Sequence, residues 1–446
     1  MINGSLNVFA ILCALTAAIP CAGASASYRV IYALTGQTTA AIGIIEGSPG
    51  VFFSSSPSAV FWVNTQGTET TVATIQDPPY ILATTAGVPA SNGLVYSSFE
   101  EVKGMGSGNI FSVSSAPGSE QIYPAQRLAA SPLAGTLPNG KLFGLAYGFT
   151  VGPWFLGTAD LTGKVVSFYQ FPSPNERPGT PVYGADGNYY GISWNSGIAG
   201  SKSYFYRVTP SGSFTQIASL PFAGAAGAYS GSGLLLQGTD GNFYGIQQTD
   251  GGCSSTNQHG AVYKLTPAGQ FTILHDFGVC GPAIIDTLIQ GSDGKLYGAT
   301  EGNNLIFSLT TSGAYNVVFQ TNNHSMQGLC TCTLVQGSDG ILYGTAAGGG
   351  PNAAGVIFAL DAGLPIPNPR ARRFHPESGS VGTQVRIWGY DLFGASVQFN
   401  GISATGVHNG GSNYVWATVP PGATTGPITV TTPGGSSTTK VNFTVQ

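Results

Sequence analysis

One phrase recurs along this chain at a spacing that leaves few folds open: Ala185-Asp186-Gly187-Asn188-Tyr189-Tyr190-Gly191, Thr239-Asp240-Gly241-Asn242-Phe243-Tyr244-Gly245, Ser292-Asp293-Gly294-Lys295-Leu296-Tyr297-Gly298 and Ser338-Asp339-Gly340-Ile341-Leu342-Tyr343-Gly344. Each copy reads as an Asp-Gly hairpin turn with two residues at positive φ, then a strand whose aromatic packs and whose Gly admits a close neighbour. Weaker copies stand at Asn139-Gly140, Asn92-Gly93 and Pro49-Gly50. The turn glycines are then 43, 47, 47, 54, 53 and 46 residues apart, which suits four short strands and their loops per unit.

A second pair of alternating runs, such as Gly260 to Phe277 around Pro267-Ala268-Gly269, supplies the third and fourth strands of a unit. The last unit stops after Gly355 to Leu360, because Leu364-Pro365-Ile366-Pro367-Asn368-Pro369 cannot form a strand. Its missing fourth strand is expected at the other end of the chain, in Tyr28 to Leu34. The expected fold is all-β: a seven-bladed β-propeller over 27–364 with the N-terminal strand closing the last blade, a Pro-rich hinge at 365–369, and a small immunoglobulin-like β-sandwich over 370–446. The tail's strand signals are Val385 to Trp388, Val397 to Ile402 with its Asn400-Gly401 turn, Tyr414 to Val419, Ile428 to Val430 and Val441 to Val445.

Charged residues make up 8% of the chain and the net charge is −4, so there is no basic stripe for nucleic acid. Residues 1–26 read as a secretory signal peptide, with an apolar stretch from Val8 to Ile19 before Ala24-Ser25-Ala26. The expected product is secreted or held in the cell envelope, a monomer with no membrane span in the mature chain. Export leaves Cys253, Cys280, Cys330 and Cys332 as disulfide candidates; three pairings are open, and the strand phasing favours Cys253 with Cys280.

No catalytic residue or metal site is assigned from motifs, and no cofactor is expected. Gly135 to Lys141 mimics a phosphate loop but continues into Leu142 where Ser or Thr belongs, so it reads as a hairpin. Asp186, Asp240, Asp293 and Asp339 are isolated, which suits turns better than calcium. His275 falls on an outer strand and reads as a packed residue. Binding is expected on the face carrying the variable loops, where Trp194, Asn195, His259, Glu301, Asn303 and His324 offer stacking, amide and acidic groups for a sugar.

The tail stretches Pro376 to Thr383, Trp388-Gly389-Tyr390, Val397 to Gly401 and Val419 to Pro427 resemble the IPT/TIG family, which implies a binding or spacer module. The Gln-Gly-Ser-Asp-Gly-x-x-Tyr-Gly units resemble the Gloeo/Verruco (GloVer) tandem repeat of exported bacterial proteins, a resemblance that implies export and carries no catalytic residues with it. The expected function is therefore an exported, non-catalytic binding protein whose partner is an extracellular glycan or protein. The Asp-Gly-Asn-x-Tyr phrases are also similar to those of seven-bladed lyases, which would imply a metal, a His and acidic groups. That alternative, a lyase- or glycosidase-type enzyme, rests on Glu301 with His324 or His259. A third reading is a structural spacer in a surface or adhesion assembly.

Overall fold

The computed structural model describes residues 26–34, 43–56, 59–74, 81–83, 87–90, 92, 94–101, 107–114, 118–119, 121–124, 128–137, 139–148, 153–173, 175–195, 202–223, 235–247, 259–279, 284–300, 305–320, 333–346, 348–351, 353–409 and 414–446. All regular structure among them is β, and no helix there is long and apolar enough to cross a membrane. Between Ser27 and Asp361 the strands form seven antiparallel sheets of four or five strands each, in which sequence neighbours pair. Sheet five is typical: Leu235–Gln237, Phe243–Gln247, His259–Leu265 and Phe271–Val279 lie side by side in chain order.

The seventh sheet departs from chain order. Ser27–Ala33 pairs antiparallel with Val356–Asp361, setting Tyr28 opposite Leu360 and Ala33 opposite Val356. Apolar clusters then join each sheet to the next. One holds Tyr244, Ile246 and Val262 of sheet five with Leu288, Leu296 and Phe307 of sheet six. Another holds Phe52, Phe61 and Val63 of sheet one with Tyr343, Ile357 and Ala359 of sheet seven, so the succession of packed sheets returns to its start.

The recurring phrase forms the turn between the first and second strands, with chemistry that differs from the expectation of two positive φ angles. Gly187, Gly241, Gly294 and Gly340 have φ of 86°, 83°, 82° and 88°, while the preceding Asp residues are not left-handed. In sheet five, the Gly241 N–H donates to the Gly238 carbonyl (2.9 Å) and the Gly238 N–H to the Asn242 carbonyl (2.8 Å). This is a hydrogen-bonded turn closed by a left-handed glycine, the longer hairpin form and not the two-residue one. Asp240 accepts from the Asn242 N–H and from the Tyr244 hydroxyl (2.7 Å), and the same Asp-to-Tyr bond recurs at Asp186–Tyr190, Asp293–Tyr297 and Asp339–Tyr343. The two-residue form does occur in the tail, where Asn400 and Gly401 both have positive φ.

Gly191, Gly245, Gly298 and Gly344 serve a different need. A Cβ on Gly245 would stand 2.3 Å from the Tyr263 hydroxyl, and one on Gly298 would stand 2.5 Å from the Phe307 ring. The third-strand aromatic therefore lies directly on the second-strand backbone. The phosphate-loop mimic is a hairpin, with the Leu137 N–H donating to the Lys141 carbonyl (2.7 Å).

The tail forms two sheets around Val385, Ile387, Val397, Phe399, Val415, Ile428, Val430 and Phe443. One holds Arg370–His375, Gln384–Tyr390, Tyr414–Thr418 and Thr405–Asn409; the other holds Ser378–Gly379, Gly435–Val445, Gly426–Thr432, Ser396–Phe399 and Ile402–Ser403. Alternating inward apolar and outward polar residues produce this sandwich. The Pro-rich segment before it is strapped down: the Pro365 carbonyl accepts from Ser292 Oγ (2.5 Å) and Gln336 Nε2 (3.2 Å). Gly340 leaves room for the backbone of Leu364 to Ile366, and Tyr414 donates to the Ala90 carbonyl. Every one of these contacts is made to the end of the sheets that carries the Asp-Gly turns.

Candidate functional site

The Pro-rich segment and the tail contact the turn end of the sheets, and Trp194 and Asn195 lie at the opposite end of their strand. In sheet four, Glu176–Pro178 runs antiparallel to the end of Tyr189–Asn195, placing Glu176 opposite Asn195, Arg177 opposite Trp194 and Pro178 opposite Ser193. Strand alternation then sorts the residues. Glu176, Ser193 and Asn195 share the face toward sheet three, with Tyr206 and Tyr204 from the next strand; Trp194 and Arg177 share the face toward sheet five. The two adjacent residues expected to bind together, Trp194 and Asn195, thus flank opposite sides of one strand end.

Glu176 is the residue that motif reasoning missed. Its side chain is only 5% exposed, and Ser193 Oγ donates to its Oε1 (3.1 Å). Burial pushes its carboxyl above the usual range, and hydrogen bonds from Ser193 and from the Ser173 backbone only partly offset that. Tyr169 nearby is pushed up to about 12 by burial and then by the Glu176 charge. Tyr206 is raised for the same reasons, and its buried hydroxyl has no hydrogen-bond partner among the described residues. Rings pack around it: Phe171 meets Tyr206 edge-on at 5.5 Å, and Tyr169 stacks on Phe214 at 5.0 Å. A carboxyl so placed keeps its proton to higher pH than an exposed glutamate does.

The other expected site residues are not brought into this group. The backbone of His259 begins the third strand of sheet five, paired with Val279; its side chain, with Glu301, Asn303, His324, Cys253, Cys280, Cys330 and Cys332, lies outside the described residues. His275 is packed, as its outer-strand position implied: it stacks on Tyr315 at 4.1 Å with rings 4° from parallel, joining sheets five and six. Each repeat aspartate is occupied by its turn and its tyrosine.

The decisive comparison falls on the repeat units themselves. Residues 177–366 match the Gloeobacter/Verrucomicrobia repeat. That stretch begins beside Glu176 and ends in the Pro-rich segment, so the repeat spans sheets four to seven except for the N-terminal strand. Among solved structures, the chain is similar to a streptogramin B lyase (TM-score 0.54, 15% identity, covering 76% of this chain and 98% of that one). It is also similar to a catalytically inactive virginiamycin B lyase from Staphylococcus aureus with quinupristin (TM-score 0.53, 16% identity, 75% and 99%). At such identity the likeness shows a propeller-like all-β fold. No curated protein sequence matches the chain.

Proposed function

We propose that this is an exported binding protein: a seven-bladed propeller closed by its N-terminal strand, carrying a C-terminal IPT/TIG module, that engages an extracellular or envelope glycan through the loop ends of its sheets. The observation that carries this reading is the division of the two ends. The Pro-rich segment and the tail contact the Asp-Gly turn end through Ser292, Gln336, Gly340 and Ala90. The half-buried Trp194 and Asn195 stand at the other end, where a ring face and an amide suit a sugar. A glycan array followed by titration tests it. Saturable binding weakened at least tenfold by Trp194→Ala is the expected result; binding only to an envelope protein in a pull-down would replace the glycan.

A second reading, an enzyme of lyase or glycosidase type, is favoured by one feature, the buried Glu176 with its raised pKa, which suits a general acid. Turnover of a bound glycan that disappears in Glu176→Gln would establish it. Binding without turnover would return the protein to the first reading.

A further inference from the structure

The outward face of the tail's first sheet holds an arginine without a counter-ion among the described residues. On Gln384–Tyr390, Val385 and Ile387 enter the sandwich core, so alternation turns Arg386 and Trp388 outward, beside Trp416 and Tyr414 of the paired strand. The Arg386 guanidinium carbon lies 4.1 Å from the Tyr414 ring centroid, 4.9 Å from Trp388 and 5.5 Å from Trp416. Arg386 is 6% exposed, and its Nε and Nη2 are buried with no hydrogen-bond partner among the described residues. Trp388 Nε1 is buried and has no partner among them either. A second cation flanks the same ring, since Arg373 lies 5.4 Å over Trp388.

Three unpartnered donors and two cations with no described carboxylate beside them describe a place for an anion. Nε and Nη2 form one edge of the guanidinium, the edge that takes both oxygens of a carboxylate side by side. The Tyr414 ring centroid, 4.1 Å from the guanidinium carbon, sets an aromatic face and not a carboxylate against the charge. Trp388 and Trp416 are half-buried, so the rim of the cage meets solvent and offers aromatic faces to a sugar ring. We propose that Arg386 and Trp388 seat the carboxylate of an acidic sugar, a hexuronate, against the Trp416 face. This site is independent of the loop-end reading and lies on the sheet whose Tyr414 reaches Ala90.

Titration of the mature protein with glucuronate at constant ionic strength, read by tryptophan fluorescence, tests the assignment. Saturable quenching by glucuronate is expected, with no response to glucose or sulfate at the same concentrations. Arg386→Lys keeps a cation against the rings but loses the two-donor edge, and it should weaken glucuronate at least tenfold. The proposal is overturned by no saturable response, by an equal response to glucose or sulfate, or by unchanged affinity in Arg386→Lys. If that variant does not fold, thermal unfolding of the native protein decides: a rise in Tm with glucuronate but not glucose supports the site, and no rise overturns it.

Discussion

Glu46 in the first sheet accepts two hydrogen bonds from Ser338 in the seventh, across 292 residues of sequence: the Ser338 N–H at 2.8 Å and the Ser338 hydroxyl at 2.9 Å. The same latch runs between later sheets, where Gln237, Gln290 and Gln336 accept from the backbone of Ala185, Thr239 and Ser292, each at 2.8 Å. Each glutamine uses its amide to donate to the carbonyl of its own turn glycine. At Glu46 the group four residues on is the Gly50 N–H (2.7 Å), a donor, so a carboxylate with acceptors on both oxygens stands where the repeat has glutamine.

Removing that latch should loosen the joint between the ends of the repeat region. Glu46→Ala leaves the half-buried Ser338 and Gly50 N–H groups without their acceptor and should cost about 1–2 kcal/mol. Glu46→Gln keeps one acceptor and should stay within about 1 kcal/mol of the native protein at pH 7. Denaturant unfolding of the three proteins measures both.

The same residue sets a pH dependence. Burial holds Glu46 above its ordinary 4.5 in the fold, despite its hydrogen bonds, so the folded state binds the proton more tightly than the unfolded one. Its contribution is full below 4.5 and is lost as pH rises through the folded value. Native stability minus that of Glu46→Gln should therefore fall as pH rises above 4.5.

His275 acts in the opposite sense. Burial against Tyr315 and Phe277 lowers its pKa below 6.5, so the neutral ring is the one the fold accepts. Its contribution is present above 6.5 and lost as pH falls through the folded value. His275→Phe should remove that acid sensitivity, read as the difference between the two proteins' unfolding midpoints from pH 7 to pH 5.

The two glycines of each repeat should respond unequally to alanine. Gly241 needs its left-handed φ but faces open space, so Gly241→Ala should cost about 1–2 kcal/mol. Gly245→Ala drives a methyl into the buried Tyr263 ring and should cost more, about 3 kcal/mol. Calorimetric Tm values for the pair test the order.

Much of the architecture could be read from the sequence because its turns carry specific chemistry. A left-handed Gly after Asp, a Tyr four residues beyond that Asp and a Gly under the next strand's ring are local requirements, so they repeat visibly. The Glu46 latch was hidden because Pro49-Gly50 replaces Asp-Gly, reversing the polarity of the group that Glu46 meets. Glu176 escaped because it stands in Asn175-Glu176-Arg177-Pro178, a phrase with no counterpart in the other units, and its meaning comes from Ser193 and Tyr206 on neighbouring strands. Arg386 read as one more strand residue, since only the pairing of Gln384–Tyr390 with Tyr414–Thr418 brings three rings around it.

Whether the loop ends or the turn end of the sheets meets the partner is answered by calorimetric titration of the strongest glycan from an array against three proteins: native, Trp194→Ala and Gly241→Ala. Binding weakened at least tenfold by Trp194→Ala and left unchanged by Gly241→Ala is the expected outcome. Binding that survives Trp194→Ala but is lost in a folded Gly241→Ala would contradict it.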